Sequence, residues 1–219
     1  MSNRESNISQ HKNFEISISK EELNELPIEK YEGEIFVVDQ PEEVRDVINL
    51  LSKSPIVGFD TETKPTFQKG HINNVALLQL ASPQACYLIR ISKIGLIDEV
   101  KEFLENENIF KVGLSIKDDF HNLSKIKEIK PGGFLDLQNY VKEFGITDCS
   151  LTKIHGILFG KRISKSQQLT NWEAGNLTQK QKEYAALDAM ACINIYNKLK
   201  SGEFIPENSP YYKPKEPLL

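Results

Sequence analysis

The sequence predicts a mixed α/β fold in which one central sheet is flanked by helices. Apolar runs at 56–62, 75–80 and 86–91 follow one another without a helical segment between them, which is typical of an antiparallel meander. Further along the chain, short apolar runs alternate with amphipathic segments, and a long helix-forming segment at 178–200 comes last. A meander followed by α/β alternation indicates a mixed sheet with helices packed on it.

Length and composition indicate one globular domain with extensions. The chain has 219 residues, of which 39% are hydrophobic and 26% are charged, as in ordinary soluble proteins. No apolar run approaches the roughly 20 residues that span a bilayer, and residues 1–20 lack the apolar stretch of a secretory signal. We therefore expect a cytoplasmic protein with no membrane contact.

Net charge and cysteine content bear on how the protein could bind nucleic acid and on whether it has a zinc site or disulfides. The formal charge of −4 and the pI near 5.7 disfavour binding to nucleic acid by bulk electrostatic attraction, but they allow an enzyme that holds a strand locally. Cys86, Cys149 and Cys192 are scattered and lack CxxC spacing. This pattern indicates incidental thiols in a reducing compartment rather than a zinc site or a disulfide frame.

The chain divides into an extension, a core and a tail. Residues 1–32 are polar, with one short helix predicted by the capping-box pattern Ser19-x-x-Glu22. Residues 33–202 carry the strand and helix patterns and form the predicted domain. Residues 203–219 are rich in proline, and we expect them to lie extended on the surface.

Hydrophobic periodicity and turn residues predict the elements of the core. Strands are apolar runs bounded by turn residues, and helices repeat apolar residues at intervals of three or four behind a cap or a proline. The predicted strands are 34–38, 56–62, 75–80, 86–91, 109–114 and 134–137. The predicted helices are 41–53, 98–105, 115–127, 138–144, 150–158 and 178–200.

Two acidic side chains end the apolar strand at 56–62. Side chains alternate along a strand, so Asp60 and Glu62 point to one face and Thr61 points to the other. Two carboxylates in a poorly solvated place repel each other unless a proton or a cation lies between them. The pair therefore indicates a divalent metal site, although a polar strand end without function is an alternative that the triplet alone leaves open.

The predicted helix 115–127 adds a third acid. At about 100° per residue, Asp119 lies about 60° from the buried Ile116, whereas Asp118 lies about 160° away. Asp119 can therefore face a site, and Asp118 is assigned to a capping box with Ser115. A favourable charge near a helix amino terminus is the alternative for Asp119.

The last helix places a phenol and a carboxylate on one face. Tyr184 and Asp188 are four residues apart, one turn above each other, among several alanines that let a helix approach a sheet closely. A charge on a packing face is unusual unless it is paired or binds a metal. A core tyrosine with a satisfied hydroxyl, beside a carboxylate that caps a neighbouring group, is the alternative.

As a set, these residues resemble a known family. The segments 57–62, 112–119 and 184–189 resemble the three motifs of the DEDD superfamily of 3'-5' exonucleases, in the branch of RNase D and the Werner syndrome helicase exonuclease domain. Segments 75–80 and 169–172 support the resemblance, which covers residues 34–200. Tyrosine four positions before the last aspartate is typical of the tyrosine subclass (DEDDy).

The resemblance implies a ribonuclease H-like fold and a metal-dependent 3'-5' exonuclease. Its metal ligands would be four acids, which would hold two divalent cations, Mg²⁺ or Mn²⁺. These are Asp60, Glu62, Asp119 and Asp188. Tyr184 would orient the attacking water, and the products would be nucleoside 5'-monophosphates. The expected substrates are DNA or RNA 3' ends, with DNA favoured, and a helicase or repair partner stays open.

The segment between the second and third motifs is rich in basic residues. Among them, Arg162 and Lys165 are the residues that we expect to contact substrate phosphates, and a solvated basic face is the alternative. We also expect residues 67–70 to form a loop at the mouth of the site. Two other functions compete with the exonuclease: an endonuclease or integrase of the same fold, and a catalytically weak or inactive nucleic-acid-binding domain.

Overall fold

A six-stranded mixed sheet forms the centre of the structure, a computed structural model that describes residues 13–66 and 73–215. Two further strands form a small separate sheet. The strands are β1 (Phe14–Ile16), β2 (Glu34–Val38), β3 (Val57–Thr63), β4 (Val75–Ala81), β5 (Ala85–Ile89), β6 (Lys111–Gly113), β7 (Phe134–Asp136) and β8 (Tyr212–Pro214).

Eight α-helices accompany the strands within the described residues. They are α1 (Lys20–Glu25), α2 (Pro41–Leu51), α3 (Ile91–Ile94), α4 (Asp98–Glu105), α5 (Ile116–Leu123), α6 (Leu137–Tyr140), α7 (Leu151–Phe159) and α8 (Gln179–Lys200). Short 3₁₀ turns follow at Val141–Phe144 and Pro206–Asn208. The predicted helix at 138–144 is therefore a turn of α-helix that tightens into a 3₁₀ turn, and the predicted helix 115–127 ends early, at Leu123.

The order of the strands confirms the predicted mixed sheet. In the six-stranded sheet the order is β2-β5-β4-β3-β6-β7. The pairs β3–β4 and β4–β5 are antiparallel, which is the predicted meander. The pairs β2–β5, β3–β6 and β6–β7 are parallel. β3 is thus an inner strand: β6 pairs with its amino-terminal end, at Val57 and Gly58, and β4 pairs with it from Gly58 to Thr63.

Each face of the sheet has its own hydrophobic core. On one face, the alanines and isoleucines of α8 pack with α7 and the buried Trp172. On the other face, the apolar sides of α2, α4 and α5 pack against β3, β4 and β5. The two faces follow from the alternation of side chains: Leu77 belongs to the α8 core, whereas Leu78 belongs to the opposite one.

The α8 helix lies unusually close to β3. A Cβ atom placed on Gly58 would lie 2.0 Å from the carbonyl oxygen of Ala189, so only glycine fits at this crossing. Ala185 and Ala189 are fully buried on the same helix, as the alanine-rich pattern predicts. This close approach brings the middle of α8 to the end of β3.

The amino- and carboxyl-terminal segments contribute to the same structure. β1 pairs antiparallel with β8, and the rings of Phe14 and Tyr212 stack with centroids 4.9 Å apart. Ile16 and Ile18 are fully buried in the α8 core. The predicted capping box of α1 is present, since Ser19 and Glu22 exchange both hydrogen bonds. The domain bounds stay a prediction, but these described flanking residues pack on the domain rather than apart from it.

We expect Gly58→Ala to lower the free energy of unfolding by about 1–3 kcal/mol, because the added methyl group overpacks the crossing with α8. Urea denaturation followed by circular dichroism would measure the change. Gly175→Ala is the matched control, since a Cβ atom there meets nothing within 4 Å, and its effect should stay within about 0.5 kcal/mol. Equal stability of the two variants would contradict the close approach.

Candidate active site

Three carboxylates from two elements meet at one end of the sheet. Asp60 and Glu62 project from the same face of β3, and Asp188 projects from the middle of α8, which Gly58 allows to come close. One oxygen of each carboxylate lies within 4.8 Å of the others. Three of the four acids that the sequence predicts as metal ligands, Asp60, Glu62 and Asp188, are therefore brought together.

These carboxylates are poorly solvated. Glu62 is 8% exposed and Asp188 is 5% exposed. Burial, together with the charges of Asp60 and Asp188, raises the pKa of Glu62 to about 10. Burial raises the pKa of Asp188 to about 7, and burial with the charge of Asp188 raises the pKa of Asp60 well above its usual range. Each pKa shift has the sign expected of an acid whose charged form is disfavoured by burial.

The donor set fits divalent cations. Carboxylate oxygen is the ligand that Mg²⁺ and Mn²⁺ prefer. Two buried carboxylates and the half-buried Asp60, within a few ångströms of one another, repel without positive charge between them. Asp60, Glu62 and Asp188 can therefore share a metal.

Asp119 lies beside this group and is held by a different partner. The hydroxyl of Thr61 donates a hydrogen bond to the Asp119 carboxylate. Thr61 points away from Asp60 and Glu62, as the strand alternation predicts, and it meets α5 on the other side of β3. Burial, followed by the charge of Asp60, raises the pKa of Asp119 to about 8. Asp119 is thus close enough for its pKa to respond to the charge of Asp60, but it lies outside the close group of Asp60, Glu62 and Asp188.

Tyr184 lies one turn before Asp188 on α8 and hydrogen bonds to its carboxylate. Burial and the charges of Asp188 and Glu62 raise the pKa of the phenol above its usual range. The hydroxyl therefore stays protonated at neutral pH and acts as a hydrogen-bond donor rather than a base. The ring of Trp172 packs 6.1 Å from that of Tyr184 and is fully buried, so it supports α8 from within the core.

A cavity of about 360 Å³ opens in front of these groups. Asp60, Glu62, Tyr184 and Asp188 form one part of its wall, and Lys165 is the basic residue that lines it. The lining also includes residues that sequence reasoning did not select: Thr61, Ser115, Cys149 and Gln168. Thr61 lies on β3 between Asp60 and Glu62, whereas the other three come from separate loops that only the fold brings together.

Arg162 does not line this cavity. Its guanidinium Nε donates to the carbonyl oxygen of Leu26 at 3.2 Å, and its backbone N–H donates to the carbonyl of Pro27. Arg162 therefore ties the amino-terminal segment to the domain. Phosphate contact by Arg162 or Lys165 stays a prediction, and Lys165 has the better position. The expected loop at 67–70 lies outside the described residues.

The predicted capping box between Ser115 and Asp118 is wrong. Ser115 adopts left-handed backbone angles (φ 59°, ψ 36°) and makes no side-chain cap with α5. The backbone N–H groups of Ser115 and Ile116 donate instead to the carboxylate of Asp136. The cap thus comes from the end of β7, a partner distant in sequence.

Comparisons with known proteins agree with this geometry. A family profile described as 3'-5' exonuclease matches residues 35–202. The chain is 35% identical over 162 residues to the mouse (Mus musculus) bifunctional 3'-5' exonuclease/ATP-dependent helicase WRN, a match that covers 70% of this chain and 11% of that protein. The chain therefore spans about a tenth of the length of this relative.

Solved structures show the same fold. The Aedes aegypti Nibbler EXO domain superposes with a TM-score of 0.71 at 23% identity, and the match covers 82% of this chain and 96% of that one. The Trypanosoma brucei RNase D complex with RNA U12 superposes with a TM-score of 0.67 at 20% identity, covering 77% of this chain and 63% of that one. The predicted ribonuclease H-like fold is confirmed.

Within residues 13–66 and 73–215, no helix has both the length and the apolar character needed to cross a membrane.

We expect the unfolding midpoint of the metal-free protein to fall as pH rises from 6 to 9. The folded pKa values of Glu62, Asp119 and Asp188, about 10, 8 and 7, lie above those of an unfolded chain. The protonated acids therefore contribute to the free energy of unfolding at low pH. This contribution is lost as the pH rises through their folded-state pKa values. Thermal unfolding in chelator, with and without Mg²⁺, would measure this.

Asp60→Asn is the variant that isolates the cause. It removes one of the repelling charges at constant size, so its unfolding midpoint in chelator should exceed that of the wild type at pH 9 and should depend less on pH. Saturating Mg²⁺ should raise the midpoint of the wild type most at high pH, because the cation takes the place of the protons. A wild type whose midpoint in chelator does not fall over this range would contradict the repulsion.

Proposed function

The chain belongs to the 3'-5' exonuclease family, and from this premise we propose that it removes nucleotides one at a time from the 3' end of a nucleic acid strand by metal-dependent phosphodiester hydrolysis. The products would be nucleoside 5'-monophosphates. The observation that carries the proposal is the convergence of Asp60, Glu62 and Asp188 with Tyr184 on one cavity.

Two divalent cations, Mg²⁺ or Mn²⁺, are the cofactors that we propose. Asp60, Glu62 and Asp188 would hold them, with Asp119 as the fourth acid. When bound, such ions supply Lewis-acid stabilisation of the charge on the phosphate and lower the pKa of the attacking water. The raised carboxyl pKa values support this assignment, because a site that repels its own charges in the absence of a cation gains the most from one.

The side chains of the cavity have separate tasks. Tyr184 is protonated and held by Asp188, so its oxygen can orient the attacking water while its proton stays in place. Lys165 brings positive charge to the wall of the cavity near Asp188, where a phosphate of the strand would lie. The apolar side chains of Leu151 and Ile163 line the remaining wall and can contact a sugar or a base.

The size of the cavity supports attack at a chain end. A volume of about 360 Å³ is at the small end of ligand-binding pockets. A cavity of this size can hold one terminal nucleotide that is no longer stacked on its neighbour. A base-paired duplex is too large to enter it. This supports the exonuclease over the endonuclease that the sequence alone leaves as an alternative.

We propose DNA as the preferred strand and RNA as the second candidate. The chain is 35% identical to the mouse exonuclease/helicase, against 20% for the RNase D that was solved with RNA U12. The helicase activity named for the mouse relative makes a helicase the first class of partner to test. Cytoplasmic placement stays a prediction.

We expect Asp60→Ala to lower the rate of 3' trimming by a factor on the order of 10³ or more, comparable to the loss of a catalytic electrostatic group. Tyr184→Phe should lower the rate by about 10- to 100-fold, since it removes one hydrogen bond to a charged centre, and should leave Mn²⁺ binding intact. A time course on 5'-labelled single-stranded DNA, recessed DNA and matching RNA, in Mg²⁺, Mn²⁺ or chelator, would measure both.

The products on the gel separate the competing functions. A ladder that shortens one nucleotide at a time, requires metal and disappears in Asp60→Ala is the expected result. Cuts within the labelled strand would point to an endonuclease, and no cleavage of any strand in either metal would point to an inactive binding domain. Most of the wild-type rate in Asp60→Ala would show that the site is misassigned.

A further inference from the structure

Helix α5, which carries Asp119, begins from a strained residue. Among the residues that the structure describes, Ser115 is the one non-glycine position with a positive φ, at 59°. A side chain in this left-handed region crowds its own backbone, and such residues persist only where the surroundings enforce them. Ser115 also lines the catalytic cavity.

The carboxylate of Asp136 enforces this conformation. One of its oxygens accepts the backbone N–H of Ser115 at 3.2 Å and that of Gln138 at 2.9 Å, and the other accepts the N–H of Ile116 at 3.2 Å. The sheet places the carboxylate there, because Asp136 is the β7 partner of Gly113, two residues before Ser115. A single side chain thus fixes the start of α5.

Gln138 extends this contact to another wall of the cavity. Its side-chain amide donates to the hydroxyl of Ser115 and to the carbonyl oxygen of Cys149, the latter at 3.2 Å. Ser115 and Cys149 both line the catalytic cavity. The network of Asp136, Gln138 and Ser115, which we call the α5 clamp, therefore lies next to the cavity rather than in a remote part of the domain.

Asp119 is the acidic residue of the site that depends on this clamp. It lies in the first turn of α5, three residues after Ile116, and its carboxylate accepts the hydroxyl of Thr61. Asp60, Glu62 and Asp188 stand on β3 and α8, whereas the hydrogen bonds described for the clamp go to Ser115, Ile116, Gln138 and Cys149. A shift in the start of α5 would therefore move Asp119 relative to the other acids.

We propose that Asp136 is a positioning residue of the exonuclease site, which holds the first turn of α5 so that the Asp119 carboxylate stays on Thr61 beside the other metal-binding acids. The inference rests on the proposed function for its catalytic consequence. It assigns Asp136 no contact with metal or substrate. Its positioning effect acts on Asp119 through Ser115 and Ile116.

The test compares Asp136→Ala and Asp136→Asn with Asp118→Ala. Asp118 is exposed on the same turn of α5 as Asp119. Its replacement removes a negative charge that acts on Asp119, as the loss of Asp136 does, without touching the clamp. Mn²⁺ binding is measured by calorimetry on the protein without substrate, and 3' trimming is measured against Mg²⁺ concentration. All assays are run well below the unfolding midpoint of each variant.

Asp136→Ala should weaken Mn²⁺ binding and raise the Mg²⁺ concentration for half-maximal rate by about 10-fold, the scale of other positioning groups around metal sites. Asp136→Asn retains one acceptor oxygen and should fall between Asp136→Ala and the wild type. Asp118→Ala should match the wild type. In the Asp136→Ala background, Ser115→Gly should recover part of the metal affinity, because glycine adopts the left-handed conformation without strain.

A folded Asp136→Ala protein with wild-type Mn²⁺ affinity and Mg²⁺ dependence would overturn the inference and leave Asp136 with a structural role alone. The same holds if Asp118→Ala weakens metal binding as much as Asp136→Ala does. A wild type that binds Mn²⁺ but trims no strand would overturn the proposed function only, since the Mn²⁺ comparison would still decide the role of Asp136. A wild type that neither binds Mn²⁺ nor trims would overturn both.

Discussion

The candidate site depends on the close crossing of β3 and α8, which brings together carboxylates that repel one another. Gly58 lets the helix approach the strand, and the approach brings Asp188 to Asp60 and Glu62. Burial of these groups is unfavourable without positive charge, and their pKa values rise accordingly. The same feature that weakens the metal-free protein therefore creates a place where a divalent cation gains free energy.

The acids are held by two parts of the fold. Asp60 and Glu62 stand on an inner strand, and Asp188 stands on the middle of a 22-residue helix that crosses this strand closely. Asp119 stands on an eight-residue helix on the opposite face of the sheet. Asp136 accepts hydrogen bonds at the start of this helix, and Thr61 donates a hydrogen bond to the Asp119 carboxylate. A site built this way has a rigid centre and one acid whose position can be altered separately.

Sequence reasoning predicts what local geometry determines. The alternation of a strand places Asp60 and Glu62 together, and a four-residue spacing on a helix places Tyr184 above Asp188. The meander and the capping boxes of α1 and α8 follow from equally local signals. Sequence reasoning fails where the partner is distant: Asp136, rather than Asp118, caps the start of α5 across a parallel strand pair. No periodicity encodes such contacts.

The measurement that tests the central claim most directly is the anomalous difference map of a crystal grown in Mn²⁺. The account predicts density for Mn²⁺ between the carboxylates of Asp60, Glu62 and Asp188, and its loss in crystals of Asp60→Ala. Mn²⁺ density elsewhere on the molecule, with none among these three carboxylates, would contradict the assignment of the site.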